Sequence, residues 1–168
     1  RFGVRRCSMT PMTGEDEAHL LAAIELAAQA RKNGNEPFGA LLVDGDGNPV
    51  LGAENTVVTG PDHTGHAETN LMRMASERFD ADFLRRCTLY TSTEPCAMCA
   101  AAIYFGDVRR VVFALSAAEL DRITASNPEK MRLALSCREV FARGEHEVGV
   151  SGPHLERQAG EVHAGFWG

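Results

Sequence analysis

TLYTSTEPCAMCAAAIYFGDVRRVVFALS, residues 88–116, carries the three-part pattern on which the fold turns. TLYTST (88–93) is rich in β-branched and aromatic residues and reads as a strand. PCAMCAAAIYFG (95–106) reads as a helix with Pro95 in its first turn, where the missing N–H does no harm. RRVVFALS (109–116) is a short apolar run, the mark of a buried strand. Strands joined through a helix pair in parallel, so the second half of the chain is expected to build a parallel sheet.

Working outward, NPEKMRLALSCREVFARG (127–144) is expected to be a helix ending at Gly144, HEVGVSG (146–152) a short strand, and PHLERQAGEVHAGFW (153–167) a closing helix. Upstream, HAETNLMRMASERF (66–79) has Ala67, Leu71, Met74 and Ala75 at helical spacing. FGALLVD (38–44) and VLGAENTVV (50–58) flank the turn GDGNP and should form an antiparallel hairpin. EDEAHLLAAIELAAQARKNG (15–34) is an amphipathic helix with acids in its first turn and Gly34 after its end. The expected fold is a single α/β domain over 15–168, a three-layer α/β/α sandwich around a mixed sheet. RFGVRRCSMTPMTG (1–14) is expected to be an N-terminal arm or an appended remnant, with Met9 or Met12 as the native start.

CAMC has two readings, a redox dithiol or half of a metal site. His66 and Glu68 bear on the choice. If the strands preceding the two helices are neighbours in a parallel sheet, both helices start at the same edge. His66 can then meet Cys96 and Cys99, which one helical turn already places on one side. One imidazole and two thiolates leave zinc a fourth position for water, which ionises near neutral pH and can act as a hydroxide nucleophile. Glu68, two residues past His66, is placed to carry protons.

H-x-E followed by P-C-x-x-C is a signature of zinc nucleobase deaminases. Through HAETN (66–70) and EPCAMCAAAIY (94–104) the chain resembles the cytidine/deoxycytidylate deaminase superfamily, over roughly residues 15–115. EPFGALLVD (36–44) is similar to the guanine deaminase and tRNA adenosine deaminase branches. The resemblance implies hydrolytic removal of an exocyclic amino group, with one zinc per chain on His66, Cys96 and Cys99 and with Glu68 catalytic. It implies that Asn55 hydrogen-bonds the base. Phe38, Ala67 and Glu94 are the further substrate-site candidates; Phe38 reads equally as core, and Glu94, beside the site, reads also as structural. AGFWG (164–168) resembles an aromatic tail that covers a partner's pocket in bacterial guanine deaminases. That implies substrate contacts for Phe166 and Trp167, and a homodimer with an exchanged C-terminal tail; the same two residues read equally as helix-end packing.

Guanine is the first substrate choice. A tRNA adenosine deaminase, a deaminase of cytosine, a nucleoside or a triazine, and a non-catalytic zinc module are the alternatives. Two stretches depart from the pattern: Asp62–Gly65 replaces a D-P-T-A, and no G-F-D-D follows RRVVFALS. Glu119, Asp121 and Glu129 are the candidates for the missing second carboxylate.

Composition narrows the setting. The chain has 168 residues and a net charge of −6, and its Lys and Arg are scattered rather than striped, which argues against nucleic acid as partner. No run of 18 apolar residues suggests a membrane span. Five cysteines at these positions do not form a secreted disulfide framework, so a reducing cytoplasm is expected, with Cys7, Cys87 and Cys137 as buried fillers. His63 is expected in the loop before the site, and His19, His146, His154 and His163 on the surface or on helix faces.

Overall fold

A computed structural model describes residues 11–168. Five strands, β1 (Gly39–Val43), β2 (Pro49–Glu54), β3 (Thr88–Thr93), β4 (Arg110–Leu115) and β5 (Gly149–Ser151), form one sheet in the order β2-β1-β3-β4-β5. β1 is antiparallel to both β2 and β3, while β3–β4 and β4–β5 are parallel. Among the described residues the helices are α1 (Gly14–Lys32), α2 (Ala67–Arg78), α3 (Ala81–Leu84), α4 (Ala97–Phe105), α5 (Ala117–Ile123), α6 (Cys137–Phe141) and α7 (Glu156–Glu161).

Because side chains alternate along a strand, β1 feeds two cores. Ala40 and Leu42 pack with Leu71, Ala75, Ala100, Ile103 and Phe141 of α2, α4 and α6. Leu41 and Val43 pack with Leu20, Ala23, Ile24 and Ala159 of α1 and α7. The expected three-layer sandwich with a mixed sheet is therefore present. α1 lies so close to the start of β1 that a Cβ on Gly39 would collide with the backbone of Ala27 and Ala23.

The structure revises several boundaries. β2 stops at Glu54, because the Asn55 Oδ1 accepts a hydrogen bond from the Val57 N–H at 3.0 Å and turns the chain. Pro95 precedes the α4 cap rather than entering the first turn, since Cys96 is the N-cap. Of the helix expected over 127–144, only Cys137–Phe141 forms. Met131 and Leu133 are 89% and 71% exposed, so the preceding segment has no core to bury a face against, and the Ser136–Glu139 capping box restarts the chain as helix. The closing helix likewise shrinks to α7, which begins after Leu155 in a left-handed conformation. α3 and α5 are short helices that periodicity did not reveal, each begun by a side-chain cap, Asp80 and Ser116.

Of the stretch set aside as an arm, residues 1–10, with Cys7 and Met9, lie outside the described residues. Met12 packs on the α1 core and Thr13 forms a capping box with Asp16, so the helix signal starts inside that stretch. Cys87 and Cys137 are buried, as expected of fillers. Among the described residues no helix is long and apolar enough to cross a membrane.

Candidate metal and catalytic site

β2 and β3 are not neighbours, as the sequence reading supposed; β1 lies between them and runs opposite to both. Two strands each antiparallel to a third are parallel to one another. The β2–α2 and β3–α4 connections therefore emerge at the same sheet edge, where the start of β1 also lies. His66 is the N-cap of α2 and Cys96 the N-cap of α4.

The His66 Nδ1 lies 3.6 Å from the Cys96 Sγ and 3.5 Å from the Cys99 Sγ, and the sulfurs are 3.6 Å apart. Tetrahedral zinc spaces such donors about 3.8 Å (sulfur–sulfur) and about 3.6 Å (sulfur–nitrogen) apart, so this donor set fits the metal. Among the described residues the group comprises these three side chains, fewer than a closed structural site requires. Cys99 is buried and Cys96 exposed, so the cluster opens on the Cys96 side.

One of the three donors is held as an anion. The Cys99 thiol, hydrogen-bonded beside it, does most to hold the Cys96 thiol down at about 4; burial opposes this and His66 assists. Both sulfurs sit in the first turn of α4, whose free N–H groups favour anions. The Cys99 thiol is pushed well up, first by its bond to Cys96 and then by burial. The contact with Cys96 raises the His66 pKa.

Glu68 is buried, with Oε1 accepting from the Thr91 hydroxyl at 2.9 Å and Oε2 3.4 Å from the Cys99 Sγ. Burial, and next the Cys96 charge, push its pKa up, so this carboxyl holds a proton more readily than a free one. One oxygen is anchored in the sheet while the other faces the metal donors, the arrangement of a proton carrier.

Asn55 is fully buried, its backbone N–H donates to the Phe38 carbonyl at 3.0 Å, and its Nδ2 has no partner among the described residues. The Phe38 ring meets the rings of His163 at 5.3 Å and Trp167 at 6.1 Å. The tail thus folds over the Phe38 of its own chain. Phe166 sits edge-on to Trp167 and under the Arg31 guanidinium, on the α1 side. Ala67 packs in the core, and its backbone N–H, the first of α2, is one of those left without an intrahelical acceptor. Glu94 has both carboxylate oxygens engaged, with the Ala117 N–H at 3.1 Å and the Cys137 Sγ at 3.6 Å. His63 is exposed.

None of the three candidate second carboxylates is drawn in. Glu119 pairs with Arg122, Asp121 pairs with Arg132, and Glu129 is exposed. The segment after β4 instead delivers Lys130, whose Nζ lies 4.4 Å from the Trp167 ring centre, 5.2 Å from that of Phe38 and 3.2 Å from the Glu36 Oε1. His163, expected on the surface or on a helix face, is 1% exposed and lies in the turn after α7. Thr91 and Asn70 were also missed. Period-two alternation along TLYTST, which puts Thr91 on the face of Leu89, was the one available signal. At Gly65, where the resemblance would place alanine, a Cβ would come within 2.8 Å of the Thr56 Oγ1.

Residues 13–115 match the model of the cytidine and deoxycytidylate deaminase zinc-binding region. A Schizosaccharomyces pombe protein named "Probable cytosine deaminase" is 40% identical over 161 residues, 95% of this chain and 97% of that one. The guanine deaminase of Bacillus subtilis is 40% identical over 99 residues, 58% of this chain and 63% of that one. The solved guanine deaminase of Nitrosomonas europaea superposes with a TM-score of 0.71 at 24% identity, covering 95% of this chain and 85% of that one, which shows a shared fold.

Proposed function

The chain belongs to the cytidine and deoxycytidylate deaminase family, with zinc as its cofactor, and from that premise we propose that it hydrolytically deaminates a free nucleobase or base-like heterocycle, releasing ammonia. His66, Cys96 and Cys99 hold the metal in this reading. When bound, the metal supplies a water acidic enough to act as nucleophile at neutral pH. Glu68 would take one proton of that water at Oε2 and pass it to the ring nitrogen beside the amine, then take the remaining hydroxyl proton of the adduct and give it to the amine, which leaves as ammonia. Thr91 fixes Oε1 meanwhile, and Asn55 offers its free Nδ2 to the base. The observation that carries this reading is the buried Glu68, with one oxygen held by Thr91 and the other beside the metal donors.

Guanine is the first substrate choice, supported by the Bacillus subtilis relative and by the aromatic tail over Phe38. Cytosine is a second reading, favoured by the relative that aligns end to end. Residues 15–168 suffice for the activity. The enzyme acts as a homodimer in a reducing cytoplasm. Cys87, Cys96 and Cys99, unpaired among the described residues, support the compartment, and the exposed Phe105 and Met131 supply apolar surface for a second copy. An exchanged tail would repeat the Trp167–Phe38 contact between chains.

The test is ammonia release by the zinc-loaded protein from guanine, cytosine, adenine and their nucleosides. Turnover of at least one free base, abolished by a chelator and restored by zinc, is expected. Silence across the panel with zinc bound would overturn the reading, and binding of tRNA that weakens steeply with salt would shift it to an RNA substrate.

A further inference from the structure

Four buried side-chain polar atoms lack a partner among the described residues: Asn55 Nδ2, Thr93 Oγ1, His146 Nε2 and His163 Nε2. His146 precedes β5, at the far end of the sheet from the metal donors. The other three share the metal edge. Asn55 follows β2, Thr93 ends β3, and His163 packs on Phe38, the residue before β1. A buried donor without an acceptor costs about 1–3 kcal/mol, and such a cost persists where a ligand is to supply the missing partner.

The His163 ring is fixed with some care. Its Nδ1 accepts the Trp167 indole N–H at 3.1 Å, so in the neutral ring the proton sits on Nε2. The Trp167 ring lies nearly parallel to it, at 14° between planes with ring centres 6.0 Å apart. Burial, then the charges of Lys130 and Arg31, hold its pKa down at about 4, so the ring is neutral at pH 7. The result is an oriented, uncharged N–H donor beside Phe38.

We propose that His163 is a specificity-determining residue, donating from Nε2 to a keto oxygen on the ring of the base, with Trp167 holding the tautomer that makes this possible. The inference rests on the nucleobase reading above and narrows it to amino heterocycles that also bear a carbonyl. The Asn55 Nδ2 is a second donor on the same side, so the site asks its ligand for acceptors.

Calorimetric binding to the zinc-loaded Glu68→Gln protein tests it, with guanine against 2-aminopurine and cytosine against 4-aminopyrimidine, each pair differing by the keto oxygen. The keto member should bind at least about tenfold more tightly in one pair, and His163→Phe should reduce that preference below about threefold. Trp167→Phe should reduce it less, and His163→Gln, which keeps a donor, should restore part of it. An unchanged preference in His163→Phe, an equal weakening of both members, or no binding of either pair would overturn the inference. Ammonia release by the wild type with no such shift would sink this inference alone. Keto-selective binding without any turnover would sink deamination alone.

Discussion

Glu68 and Thr91 divide the work of one carboxyl between two elements. Glu68 comes from the first turn of α2, and Thr91 reaches it from β3 at 2.9 Å. Truncation of Glu68 removes the proposed proton carrier but none of the three metal donors. Glu68→Ala should therefore keep its zinc by elemental analysis and lose about 100- to 10,000-fold in kcat. A loss within about tenfold, roughly 1.4 kcal/mol of barrier, would show that the proton travels another way. The His-x-Glu and Cys-x-x-Cys spacings were legible because each sits within one turn of chain. Thr91 was not, because its partner depends on which strand lies beneath α2. His163 was misplaced for a similar reason. A histidine near a chain end reads as surface until Phe38 and Trp167 are known to enclose it.

At the scale of elements, the connection between β2 and α2 decides where His66 stands. The Asn70 Nδ2 donates to the Glu54 carbonyl and the Thr56 Oγ1, both at 2.9 Å, and to the Gly65 carbonyl at 3.2 Å, tying the strand end to the first turn of the helix. Asn70→Ala should cost about 1–3 kcal/mol in urea unfolding and weaken zinc retention against a chelator. Full stability with full zinc affinity would show the connection to be held by its turns alone. The tail is the second such element. Its His163 has a folded pKa near 4, below the unfolded value of about 6.5. A depressed value means that the unfolded state binds the extra proton, so the contribution is complete above about 6.5 and is lost as pH falls towards 4. Trp167 is the only tryptophan, so its fluorescence should report loosening of the tail across that window, and His163→Phe should flatten the response. The core helices were readable from periodicity because they are buried along one face. The stretch 130–135 misled because Met131, Leu133 and Leu135 carry an apolar signal without a core to receive it.

Across the whole molecule, the three central strands β1, β3 and β4 are buried on both faces, and the α1 layer is locked to the sheet by charge as well as by packing. Asp16, in the first turn of α1, accepts two bonds from the Arg110 guanidinium of β4 at 2.7 and 2.9 Å and one from the Tyr90 hydroxyl of β3 at 2.6 Å. The sequence showed acids in that turn and explained them by the helix dipole; the partners lie 74 and 94 positions away and no local pattern points to them. Burial alone would raise the Asp16 pKa, but Arg110, Tyr90 and the Thr13 cap outweigh it and hold the carboxyl well below the usual range. A depressed carboxyl contributes stability that is complete above the unfolded value near about 4 and drains away as pH falls below it. Asp16→Asn should therefore be less stable than the wild type by about 3 kcal/mol at pH 7, as for other broken buried pairs. In urea unfolding at pH 7, 5 and 3 the gap should hold between the first two and narrow at the third. A gap that stayed constant down to pH 3 would mean that the shape of the side chain, not its charge, fastens α1 to the sheet.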